Sequence, residues 1–191
     1  GKQGRTGQAS GRMTSVAVAL VQLRTPTLQA EALAHAAPLI RQAAANGAEL
    51  VMTPEGTNLL QKSRAAMFEA LHTVEDDICV QGLKALAAEL KIWLLIGSAL
   101  VLRADGQAAN RSLLISPGGD IVAAYDKIHM FDVDLPTGER HRESSAYTPG
   151  EAAVISELPW GKLGLSICYD MRFAYLYRAL AKAGAGLISV P

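Results

Sequence analysis

Three ionisable residues in this sequence stand just beyond apolar runs and differ in kind: a carboxylate in Pro54-Glu55-Gly56, an ammonium in Tyr125-Asp126-Lys127-Ile128-His129, and a thiol in Ser166-Ile167-Cys168-Tyr169-Asp170. If the apolar runs are strands of one sheet edge, the three converge. Together they would suit nucleophilic acyl chemistry. The thiol attacks, the carboxylate takes its proton and later returns it to the leaving group, and the cation holds the oxyanion. Cys168 reads as the end of a strand and the start of a helix. The free N–H groups and partial positive charge of a helix start would favour thiolate over thiol.

Each residue alone also fits a plain structural role. Glu55 could cap a helix or sit in a loop, Lys127 could be a solvated lysine at a hairpin end, and a cysteine on a strand is most often packing. Cys79, beside the apolar stripe of a helix, is read in that last way. His129, Asp132 and Asp134 carry metal-ligating groups, but their spacing matches no rigid metal motif, so no metal is expected. Pro117-Gly118-Gly119 lies in a hairpin rather than between a strand and a helix, which disfavours a phosphate loop.

The elements that would position these groups follow from apolar periodicity. Val16–Leu23 is expected to be a buried strand. Leu28–Asn46 is expected to be a helix with Ala32, Leu33, Ala36, Leu39, Ile40 and Ala43 on one stripe, closed by Gly47, and Ala48–Met52 to be the next strand. A strand-helix-strand unit of this kind makes parallel pairing. A second helix is expected over Asp77–Leu90 and a strand over Ile92–Leu102, then a hairpin of Asn110–Ser116 and Ile121–Tyr125. Phe131–Gly150 has no sustained period and is read as a long functional loop. In Leu163–Cys168 the large residues Leu163, Leu165 and Ile167 share one face, and Gly164, Ser166 and Cys168 the other. A helix with Phe173, Leu176, Tyr177 and Leu180 inward follows, then a strand over Leu187–Val190. This second strand-helix-strand unit echoes the first, which points to an α/β sandwich of two similar halves.

Composition narrows the function classes. At 191 residues, half of them hydrophobic, the chain can bury one sizeable core. Its formal charge is zero and it has no basic block, so nucleic acid is not an expected partner. No apolar run approaches the roughly 20 residues of a membrane span. With two cysteines and no secretory signal, a soluble cytoplasmic protein with free thiols is expected. Residues 1–12, rich in Gly, Gln and Ser ahead of Met13, are read as an expression remnant or disordered tail, leaving a single domain over 13–191.

The passages Met52-Thr53-Pro54-Glu55, Tyr125 to Asp132, Arg142-Glu143-Ser144 with Pro149-Gly150, and Leu165 to Phe173, with Asn110, resemble the nitrilase superfamily of carbon-nitrogen hydrolases. The resemblance implies an alpha-beta-beta-alpha four-layer sandwich with Glu55 as general base and acid, Lys127 as oxyanion stabiliser and Cys168 as nucleophile. It implies that Glu143 positions the lysine and substrate, and that the Tyr169 backbone N–H shares the oxyanion. Asp132 to Pro136 and Tyr169 to Phe173 look most like the branch containing omega-amidase and deaminated glutathione amidase. The implied reaction is hydrolysis of a small carboxylate-bearing omega-amide through a thioester, with no cofactor. An acyltransferase or a nitrilase would use the same scaffold. Arg172 would either pair with the substrate carboxylate or bridge to a neighbour, and Tyr175 stands where a glutamate is often found. Members commonly pair through the helix after the cysteine, so a homo-oligomer is expected. They also continue past the position of Pro191. The sandwich is therefore expected to be incomplete at that end, with a binding or regulatory module as the alternative to an active enzyme.

Overall fold

The computed structural model describes residues 15–191, so the reading of residues 1–12 and of Met13 falls outside the described residues. The chain opens with β1 (Val18–Leu20), α1 (Gln29–Ala45), β2 (Leu50–Met52), α2 (Arg64–Ala70), α3 (Ile78–Leu90) and β3 (Trp93–Leu102). β4 (Ala108–Ile115), β5 (Ile121–Asp126), β6 (Asp132–Asp134), β7 (Arg140–Arg142), β8 (Val154–Leu158), β9 (Gly161–Leu165), α4 (Ala174–Lys182) and β10 (Ala185–Ile188) follow.

One sheet has the order β1-β2-β3-β4-β5 and a second the order β10-β9-β8. Both strand-helix-strand units pair in parallel as expected: β1 with β2, and β9 with β10. Alternation along β2 and β3 turns Val51, Leu94 and Ile96 toward α1 and α3, where Ala32, Ala36, Ile40, Val80 and Leu83 are buried. The opposite face turns Leu50 and Leu95 toward Leu163, Leu165 and Ile167 of the second sheet. The small-residue face of β9 receives α4, because a side chain at Gly164 would meet Leu180 at 3.1 Å. The layers therefore run helix, sheet, sheet, helix, the four-layer α/β sandwich.

Three expectations change. β1 is an edge strand rather than a buried one, and Leu20 is 78% exposed on it. Phe131–Gly150 is not a plain loop but carries the β6–β7 hairpin and a 3-10 turn at Glu143–Ser145. This hairpin has no apolar alternation to reveal it. It is held by charge instead, with the Arg142 guanidinium 2.6 Å from Asp134. α2 and β8 are short and had no periodic signature long enough to mark them.

Candidate active site

β2 ends at Met52, and the turn after it is fixed by a bulge in β3 between Ile96 and Ala99. There the Gly56 N–H donates to Ser98 Oγ at 2.8 Å, Thr57 N–H to the Ser98 carbonyl at 2.8 Å, and Ser98 N–H to the Pro54 carbonyl. Gly97 is the residue that allows this approach: a Cβ on it would lie 2.0 Å from the Thr53 carbonyl oxygen and 2.7 Å from that of Pro54. The result is a fixed Glu55. Its Oε1 accepts hydrogen bonds from Asn110 Nδ2 at 2.8 Å and Lys127 Nζ at 3.0 Å. Asn110 projects from β4, and its buried Oδ1 has no partner among the described residues.

Lys127 follows β5 directly and is pinned by its backbone: its N–H donates to the Asn110 carbonyl, and its carbonyl accepts from Gly150 N–H, both at 2.9 Å. Its side chain is only 2% exposed, and Nζ donates to both Glu143 oxygens, at 2.8 and 2.9 Å, as well as to Glu55. Burial acts to lower the ammonium pKa, but the hydrogen bonds and charges of Glu143 and Glu55 outweigh it and hold the pKa above the usual lysine value. Lys127 is therefore a fixed cation. Glu143 also accepts the Phe131 N–H at 2.6 Å, which ties the start of the hairpin segment to the same carboxylate.

Cys168 sits in the left-handed region at φ 45°, which is rare for a residue with a Cβ, and its N–H donates to the Pro191 carbonyl at 3.0 Å. This sharp turn presents an exposed thiol. The expectation that the thiol is held as thiolate is overturned. Burial first, then the charge of Glu55, push its pKa up, with Lys127 opposing. The helix start is also not at the thiol: residues Cys168–Arg172 form a 3-10 turn, and α4 begins at Ala174. The thiol thus shares a cavity wall with Glu55, a carboxylate that can take its proton.

Asp170, absent from the sequence-based candidates, holds this turn in place. It is fully buried and accepts from Tyr125 Oη at 2.7 Å, Ile167 N–H at 2.9 Å, His129 N–H at 3.0 Å and His129 Nδ1 at 2.7 Å. One carboxylate thus joins the strand end that carries Lys127 to the turn that carries Cys168. The His129 ring stacks on Phe173 at 3.7 Å between centroids, and Tyr169 packs edge-on against Phe131 and Phe173. Asp132 bonds Ser144 and Asp134 bonds Arg142, so His129, Asp132 and Asp134 do not converge.

Glu55, Lys127, Glu143 and Cys168 line one cavity of about 660 Å³, whose wall also includes Met67, Tyr147, Lys62, Arg64 and Arg140. Tyr169 and Arg172 are not on that wall, and Arg172 is exposed. Tyr147 escaped the sequence reading because nothing local marks it. Its hydroxyl donates to the Met67 sulfur, and burial together with the Glu143 and Glu55 charges raises its pKa well above the usual tyrosine range.

The chain is 38% identical over 185 residues to deaminated glutathione amidase of Yersinia enterocolitica, covering 94% of this chain and 63% of that protein. It is 34% identical over 179 residues to an omega-amidase of Homo sapiens, covering 94% of this chain and 64% of that one. A Saccharomyces cerevisiae protein from branch 10 of the nitrilase superfamily superimposes with TM-score 0.78 at 29% identity, covering 91% of this chain and 63% of that one. The chain thus spans a little under two thirds of the length of these relatives. The carbon-nitrogen hydrolase family model matches residues 17–190, and the chain belongs to that family.

Proposed function

We propose that this chain carries the catalytic groups of an amidase that hydrolyses a small carboxylate-bearing omega-amide to acid and ammonia through a cysteine thioester. The observation that carries the reading is that Cys168 lines one cavity with Glu55 and Glu143, the two carboxylates that hydrogen-bond the buried ammonium of Lys127. Amidase relatives support the same reading.

Attack and deprotonation are coupled, because burial and the Glu55 charge push the thiol pKa up. As Sγ bonds to the amide carbon, its proton passes to Glu55, and the carbonyl oxygen takes up the negative charge beside Lys127. Collapse of this intermediate breaks the C–N bond, and Glu55 returns the proton so that ammonia leaves. The same carboxylate then deprotonates water, which attacks the thioester, and the thiol departs with that proton. Glu143 neutralises and aims Lys127 throughout. General acid-base transfer and oxyanion stabilisation are each typically worth about two to four decades of rate.

The pairing surface proposed for a homo-oligomer is α4, where Tyr175 is 86% exposed. Sedimentation of Tyr175→Glu against the parent protein would test it, and an unchanged oligomeric state would remove that surface. Ammonia release from an omega-monoamide tests the reaction. Wild-type release that disappears in Cys168→Ala supports it, and equal release from both removes Cys168 as nucleophile.

A further inference from the structure

The catalytic cavity is chemically lopsided. Among the described residues its only carboxylates are Glu55 and Glu143, and both are engaged by Lys127 at the inner end. The rest of the wall carries Lys62, Arg64, Arg140 and Arg142. Arg142 is spent within its hairpin on Asp134 and the carbonyls of Val133 and His141, and Arg140 lies 3.6 Å from the same Asp134. Lys62 and Arg64 form no ion pair among the described residues.

Arg64 is also positioned. It starts α2, with its guanidinium carbon 5.4 Å from the centroid of the Phe68 ring one turn later. That helix is anchored by Met67, which is buried with Leu59, Leu71 and Leu100. Stacking orients a planar fork without neutralising it, which leaves its donors for an anion.

We infer that Arg64, assisted by Lys62, binds the carboxylate of the substrate at the end remote from the scissile amide, and so selects amides with an anionic tail. This rests on the amidase reading for the reaction, though not for the binding. The neutral amide lies against Glu55, Lys127 and Cys168, and the tail supplies the counter-charge that the α2 side of the cavity lacks. Arg172, off the cavity wall, does not take that role.

The test compares wild type with Arg64→Gln, Arg64→Lys and Arg172→Gln. Calorimetric titration with glutarate reads anion binding without turnover. Ammonia release from glutaric acid monoamide and from pentanamide reads selectivity. Arg64→Gln is expected to weaken glutarate roughly tenfold or more, the loss of a charge-assisted hydrogen bond at a wet site. It should raise KM for the monoamide by a similar factor, leaving kcat and the pentanamide kinetics unchanged. Arg64→Lys should recover part of the loss, and Arg172→Gln should bind as wild type does. The inference is overturned if wild type fails to bind glutarate, if Arg64→Gln binds it normally, if the loss follows Arg172→Gln, or if pentanamide suffers equally. Glutarate binding lost in Arg64→Gln, with no ammonia from either amide in wild type, would uphold this site while removing the amidase reading.

Discussion

Lys127 lies 3.0 Å from the Glu55 carboxylate although 72 residues separate them in the chain. They meet because β2 and β5 belong to one sheet and deliver their following residues to the same edge. Glu143 completes the arrangement from the far side of the ammonium.

Lys127→Met would remove the cation and leave Glu55 and Glu143 facing each other with nothing between them. A lysine 2% exposed is paired here, and stripping one partner from a buried pair costs about 3–5 kcal/mol. The variant is expected to lose that much in denaturant unfolding and to lose about two to three decades in kcat/KM. A normal rate with reduced stability would make Lys127 structural only.

The Cys168 thiol is held above its ordinary pKa by burial and by Glu55, so alkylation by iodoacetamide should rise late in an alkaline titration. Glu55→Gln removes the repelling charge, and the titration should move to lower pH. The sign carries over to stability. A thiol whose folded pKa is raised contributes fully below its unfolded pKa, and the contribution is lost as pH rises through the folded value. An alkylation midpoint below that of free cysteine would contradict this.

Asp170→Ala would orphan the Tyr125 hydroxyl, the Ile167 and His129 N–H groups, and the His129 ring nitrogen. Each orphaned buried group costs about 1–3 kcal/mol, so a loss above about 3 kcal/mol is expected. Tyr125→Phe removes one of these bonds and should cost far less. Equal costs for the two, measured by urea unfolding, would mean that Asp170 does not anchor the turn.

The strands that carry the three central residues were legible because each has a clear period and ends at an ionisable side chain. Cys168 illustrates the limit. Its place at the end of a strand is written in Leu163 to Ile167, but its protonation depends on Glu55, more than a hundred residues away, which local reading cannot weigh. The β6–β7 hairpin was hidden for another reason: it is solvated and held by Asp134 and Arg142 rather than by apolar residues. Asp170 stood in plain view beside Cys168, yet its role depends on Tyr125 and His129 arriving from another strand.

Gly97→Ala should damage the site from beneath it. The new methyl would clash with the Thr53 and Pro54 carbonyls that seat the Glu55 turn. Loss of activity and a lowered Tm are expected together, whereas Gly106→Ala, with open space around its Cβ, should affect stability through its positive φ of 77° and leave turnover intact. Full activity in Gly97→Ala would mean that the turn is not set by this contact.

Rapid-quench intact-protein mass spectrometry during turnover of glutaric acid monoamide tests the covalent route. An acyl adduct, the mass of the substrate less ammonia, is expected on wild type, and none on Cys168→Ala. Ammonia released by wild type with no adduct at any quench time, together with persistent release by Cys168→Ala, would contradict it.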